Sequence, residues 1–198
     1  VFLMAVTQLG GDRSMHLMRA EAPGPSVGKL VPRARTTAGI LYGMYCAMTA
    51  MQIVLLLLGG MPLFDSVTTA FATAGTGGFS VKNAGIPAYG SVYLEMVILV
   101  FMLLFSINFT LYYLVLLKRP KQALKSEELR WFLGVFAVSV LLMAVDIWSA
   151  CQSVWEALRL SAFQSASIMS TTGFATANFA KWPEFSHTVL LLLMIIGS

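Results

Sequence analysis

The chain has 198 residues, of which 58% are hydrophobic and only 11% charged, and its mean hydropathy is +0.78. So little polar surface cannot cover a water-soluble domain, and that class is excluded. The net charge of +4 does not point to nucleic acid, because the positive side chains are gathered in two connections between apolar runs.

In chain order, the first apolar run is Val1–Leu9. No basic region precedes it and no small-residue cleavage site follows it, so it does not read as a signal peptide. The first residue is not Met, and the last ones lie inside another apolar run, Phe185–Ser198. The chain therefore reads as an internal part of a longer protein. Three complete runs lie between these ends. Thr37–Gly59 carries no charge, Ser91–Leu117 carries only Glu95, and Trp131–Ala150 carries only Asp146. Each has the roughly 20 residues that a helix needs to cross about 30 Å of hydrocarbon. Arg13, Arg19, Lys29, Arg33 and Arg35 precede the first of them, and Lys118, Arg119, Lys121, Lys125 and Arg130 lie between the second and third. Basic connections stay cytoplasmic, so Thr37–Gly59 runs outward, Ser91–Leu117 inward and Trp131–Ala150 outward.

The outer connection between the first two spans is not polar. It opens with helix-compatible sequence at about 62–73, too short to cross at roughly 1.5 Å per residue. The loop 74–80, Ala74-Gly75-Thr76-Gly77-Gly78-Phe79-Ser80, follows directly, and a helix does not continue through its glycines. Irregular backbone at membrane depth is tolerated where it is buried in protein or lines an aqueous path, so this pair reads as a re-entrant hairpin. The pattern returns later in the chain. Ser153 and Glu156 form a capping-box signature for a short helix at about 154–169, and the loop 170–176, Ser170-Thr171-Thr172-Gly173-Phe174-Ala175-Thr176, follows it. At an offset of 96 residues Thr76 falls on Thr172, Gly77 on Gly173, Pro87 on Pro183 and Tyr89 on Phe185. This is an internal repeat. The expected fold is an all-α integral membrane protein built from units of helix, pore helix, filter loop and helix, like a potassium-channel pore. Its segments are 1–36, the end of a preceding inner helix and a cytoplasmic loop; 37–117, one pore repeat; 118–130, a cytoplasmic loop; and 131–198, a truncated further repeat.

Such a unit suits a cation. A dehydrated potassium ion needs oxygen ligands, and rings of backbone carbonyls provide them. Gly tolerates the backbone angles this requires, and Thr adds a hydroxyl oxygen. The expected ion-binding residues are Gly75, Thr76, Gly77 and Gly78 in one loop, with Thr171, Thr172, Gly173 and Phe174 in the other. Asp65 and Glu156, in the first turns of the short helices, are placed as caps. Asn108 is expected to make an interhelical hydrogen bond, and Glu95 and Asp146 to reach interfacial water. Cys46 and Cys151 read as buried, inert thiols, and Trp131, Trp148, Trp155 and Trp182 as interfacial belts. Neither loop is followed by the Gly-Lys-Ser/Thr of a phosphate loop. His16 and His187 lack partners at metal-ligand spacing, and no nucleophile–base pair marks an enzyme. No cofactor is implied beyond potassium as the transported substrate.

Both loops resemble the second and third filters of the TrkH/KtrB potassium-uptake family. So do the cytoplasmic stretches Arg19-Ala20-Glu21-Ala22-Pro23-Gly24-Pro25 and Lys29-Leu30-Val31-Pro32-Arg33, the helix stretch Ile107-Asn108-Phe109, and the segments Asn178-Phe179 and Trp182-Pro183. The TrkH branch fits better. The resemblance implies four repeats around one pore, a homodimer, a cytoplasmic nucleotide-binding regulatory subunit of TrkA type and a bacterial inner-membrane location. A two-repeat channel acting as a dimer and a non-conducting membrane scaffold are the alternatives that the residues leave open.

Overall fold

A computed structural model describes residues 34–116, 126–151 and 153–197. The expected cytoplasmic stretch before residue 34 and most of 118–130 lie outside the described residues. Helix α1 spans Ala34–Leu58, α2 Leu63–Ala74, α3 Val92–Ser106, α4 Phe109–Leu116, α5 Glu127–Ile147, α6 Val154–Met169 and α7 Glu184–Gly197. Short 3₁₀ turns cover Ile86–Tyr89, Trp148–Ala150 and Phe179–Lys181. The fold is all-helical and membrane-embedded. Two helices, Gly39–Leu58 and Glu127–Ile147, are long and apolar enough to cross a membrane.

Each short helix is cradled by long ones. Helix α2 packs on α1 and α3, while α6 packs on α5, α7 and α3. One core joins Leu56 of α1, Ala70 of α2, Ile98 and Met102 of α3, and Phe163 of α6. A second joins Met143 of α5, Met169 of α6 and Leu190 of α7. The outer faces stay apolar and exposed, including Leu58, Val145, Met194 and Ile195, as suits helices solvated by lipid or covered by further protein.

Polar groups inside this framework differ from the expectations. Glu95 is buried and Asp146 half-buried, and each is bonded to protein. Glu95, 8% exposed, pairs with Arg159 of α6, and so ties α3 to the other repeat's short helix. Asp146 accepts hydrogen bonds from the Ser186 amide at 3.0 Å and the Ser186 hydroxyl at 2.6 Å, capping α7 from α5. Asp65 does not cap its own helix. It accepts a hydrogen bond from the Tyr89 hydroxyl at 2.6 Å. Burial and that carboxylate push the Tyr89 phenol up to about 12, and the Lys82 ammonium lies 4.2 Å from its ring centre. Ser153 caps α6 as expected, its Oγ accepting from the Glu156 amide at 3.2 Å. Neither thiol is buried: Cys46 lies on the exposed surface of α1, and Cys151 is half-buried. Trp131, Trp148 and Trp155 are exposed, while Trp182 packs against the second core.

The largest departure lies in the inward span. Ser91–Leu117 is not one helix. It breaks at Ile107, whose φ of −76° and ψ of 138° are extended, and restarts at Phe109. Among the described residues, Asn108 makes no interhelical bond. Its side-chain oxygen accepts from the Thr110 amide at 3.0 Å and its carbonyl from the Leu111 amide at 2.9 Å, so it caps the second half. Tyr112 donates to the Leu104 carbonyl at 2.6 Å across the break. Tyr45 of α1 stacks on Phe105 and Phe109, one on each side of it.

Candidate functional site

The two loops begin as helix endings of one kind. Helix α1 already shows its form: Met61 N donates to Leu56 O and Gly60 N to Leu57 O, with Gly60 at φ +82°. This is a Schellman ending, which calls for a left-handed residue that is usually Gly. Helix α2 ends the same way, with Gly77 N donating to Ala72 O at 2.7 Å and Thr76 N to Thr73 O at 3.2 Å. So does α6, where Thr172 N donates to Ser167 O and Thr171 N to Ile168 O, each at 3.0 Å. In both loops the left-handed position is held by threonine. Thr76 has φ +49° and Thr171 φ +55°. A β-branched residue there is a true outlier, costing on the order of 1–3 kcal/mol, and such strain gathers at functional sites.

These endings reset the repeat alignment. Thr76 matches Thr171, Gly77 matches Thr172 and Gly78 matches Gly173, an offset of 95 rather than 96. Gly78 and Gly173 are the left-handed glycines, at φ +64° and +89°. Pro87 and Pro183 are not equivalent either, since Pro87 lies in a 3₁₀ turn and Pro183 immediately precedes α7. The alignment by identity matched Thr-Gly to Thr-Gly, whereas the backbone is fixed by where each helix ends.

The loops lie against each other. A Cβ on Gly78 would sit 2.2 Å from Thr172 O and 3.1 Å from the Gly173 carbonyl carbon. Gly75 caps α2 and is exposed, as are Thr76, Thr171 and Gly173; Gly77 and Gly78 are half-buried; Thr172 and Phe174 are buried. Among the described residues, no hydrogen bond is donated to the carbonyls of Gly75, Thr76, Gly77, Gly78, Ser170, Thr171, Thr172 or Gly173. Phe174 differs from the other expected site residues. Its carbonyl accepts from Ser167 Oγ at 2.6 Å.

Polar groups behind the loops carried no motif in the sequence. Gln52 of α1, fully buried, donates through Nε2 to Thr73 Oγ1 at 3.0 Å, and that hydroxyl donates to Thr69 O at 2.8 Å. Ser161, Ser165 and Ser167 are fully buried on α6. Their one signal was the density of hydroxyl residues in a short helix inside an apolar chain. Among the described residues, no group of three or more His, Cys, Asp or Glu is placed to hold a metal ion.

Comparison with known proteins shows the family of the chain. The family model described as TrkH, cation transport protein, matches residues 1–198. The Trk system potassium uptake protein TrkH of Vibrio parahaemolyticus is 34% identical over 205 residues, covering 100% of this chain and 42% of that protein. The Trk system potassium uptake protein TrkG of Escherichia coli K12 is 32% identical over 197 residues, covering 98% of this chain and 40% of the relative. The crystal structure of the potassium transporter TrkH from Vibrio parahaemolyticus superposes with a TM-score of 0.79 at 31% identity, over 89% of this chain and 39% of that one. The chain thus spans about two fifths of the length of these relatives.

Proposed function

The chain belongs to the TrkH family of cation transport proteins, which are multi-pass inner-membrane transporters and not enzymes, and from that premise we propose that it supplies two adjacent quarters of a potassium-conducting pore. One observation carries the reading. Eight carbonyls, four in each of two touching loops, accept no hydrogen bond among the described residues. Most of these residues are exposed or half-buried, and at membrane depth irregular backbone with unpaired acceptors is tolerated where it lines a water-filled path. A dehydrated cation is the partner that such a set of oxygens fits. The short helices strengthen the fit, because each points its carbonyl end, with its partial negative charge, at the loop that follows. Phe174 leaves the proposed ligand set, because its carbonyl already accepts a hydroxyl proton. Gly75, Thr76, Gly77, Gly78, Thr171, Thr172 and Gly173 remain in it, joined by Ser170. The relatives' role, potassium uptake, extends the proposal to the complete protein. Further repeats would close the ring there, with a second copy of the chain and a cytoplasmic nucleotide-binding subunit as partners.

The test is growth of a strain lacking its own potassium uptake, at low potassium, with the full-length protein. Wild type restores growth. Gly173→Ser forces a side chain onto a backbone at φ +89°, a strain of roughly 1–2 kcal/mol, and weakens preference for potassium over sodium by roughly tenfold. Unchanged uptake and unchanged preference in Gly173→Ser would remove the loops from the ion path.

A further inference from the structure

The two loops share a backbone form but not the bonds that hold it. In the 95-residue register, Ser167 corresponds to Ala72, Ser170 to Gly75 and Thr172 to Gly77. Every hydroxyl of the later loop's set thus faces a residue with none in the earlier loop. In the later loop those hydroxyls are all engaged. Ser167 Oγ donates to Phe174 O at 2.6 Å, closing the far end of the loop back onto its helix. Ser167 O in turn accepts from the amides of Thr172 at 3.0 Å and Gly173 at 3.3 Å, and from Ser170 Oγ at 3.3 Å. Ser170 Oγ also lies 2.7 Å from Thr172 Oγ1, a hydrogen bond in which either hydroxyl can donate. Either way the Thr172 hydroxyl is engaged by Ser170. All of Ser167, Ser170 and Thr172 are buried, at 0%, 5% and 3% exposure.

The earlier loop has no such bond from loop back to helix; the Thr73 hydroxyl, held by Gln52 and Thr69 O, bonds only among helices α1 and α2. Ala72 O accepts from the Gly77 amide, Ala72 has no hydroxyl to offer Phe79, and Gly75 and Gly77 add backbone freedom where the later loop has Ser and Thr. Fixed placement of loop carbonyls is one way in which a filter separates ions of different size.

We propose that Ser167 and Ser170 are positioning residues that stiffen the later loop, so that ion discrimination rests mainly on 170–174 while 75–79 is a compliant lining. The proposal rests on the loops being the ion path, and the experiment separates the two ideas. In the full-length protein, Ser167→Ala, Ser170→Ala, Thr172→Val and the double variant Ser170→Ala/Thr172→Val are compared with Gly173→Ser. The readouts are potassium KM, maximal rate and the sodium concentration that halves potassium uptake. Losing one such hydrogen bond is expected to make sodium compete roughly fivefold better in Ser167→Ala, with maximal rate within about twofold of wild type. A mere loss of folded protein would lower the rate and leave the ion preference alone. The double variant shows less than the sum of the Ser170 and Thr172 effects, since both remove one shared bond, although Ser170→Ala also loses its bond to Ser167 O. If Ser167→Ala cannot be purified folded, the sodium competition of Ser170→Ala decides, whatever its maximal rate. Unchanged sodium competition in Ser167→Ala or Ser170→Ala, alongside an altered Gly173→Ser, overturns the brace and leaves the filter standing. Unchanged competition in Gly173→Ser as well overturns the filter reading itself. Additive Ser170 and Thr172 effects also overturn the brace, because they make Thr172 a ligand in its own right.

Discussion

Gly78→Ala in the full-length protein abolishes potassium uptake while the chain still reaches the membrane. Two costs act on one atom. The residue sits at φ +64°, which penalises any L side chain by roughly 1–2 kcal/mol. Its new Cβ would also lie 2.2 Å from Thr172 O and 3.1 Å from the Gly173 carbonyl carbon. The obstacle is backbone of the facing loop, so no rotamer change relieves it, and the two loops must separate. Gly77→Ala is milder, because the one tight contact of its Cβ would be the Phe79 ring at 3.2 Å, which can turn aside, while Ala72 O lies at an ordinary 3.8 Å. Growth at low potassium orders the variants as wild type, Gly77→Ala, then Gly78→Ala. The reverse order would show that the loops are not packed as described.

Glu95→Met or Arg159→Met alone lowers the stability of the full-length protein by about 3–5 kcal/mol, and the double variant Glu95→Met/Arg159→Met recovers most of that loss. Glu95 is 10% and Arg159 17% exposed by side chain, and each single change strands an uncompensated charge against α3 or α6. Replacing both leaves a thioether pair of similar volume in an apolar setting. Thermal melting in detergent, with potassium present, reads the difference. Because Arg159 sits on the helix that carries the later loop, the singles also reduce uptake. Equal melting temperatures in all three variants would mean that the pair contributes nothing to docking the repeats.

Much of this architecture could be read from residue order. The short helices at 63–74 and 154–169 follow from apolar segments too short to cross that run into Thr/Gly loops. The inner break at Ile107-Asn108 did not, because no Gly or Pro marks it. Only an Asn inside an apolar run hints at a new helix start, and that reading competes with an interhelical hydrogen bond. The loop register slipped by one residue because Thr-Gly occurs in both loops, while the local fold is set by counting from the last helical turn. Glu95 and Arg159 are 64 residues apart, and Asp146 and Ser186 are 40 apart. No periodicity connects such pairs, so their charges read as interfacial until the helices are packed.

The hydroxyl brace shows a further limit of motif reading. Ser167 and Ser170 stand in a serine-rich helix whose composition fits a polar face or a packing surface equally well. Only the 2.6 Å contact to Phe174 O and the lack of a counterpart at Ala72 give them separate weight.

The central claim is that the free carbonyls of 75–78 and 170–173 hold the transported ion. The most direct measurement is a crystal structure of the full-length protein soaked in thallium or rubidium, with the ion located by anomalous scattering. The account predicts a peak between the Thr76–Gly78 and Thr171–Gly173 backbones, at direct carbonyl-oxygen contact distance, that is lost in Gly78→Ala. An ion bound elsewhere in the protein, with these carbonyls facing only water or protein donors, would contradict it.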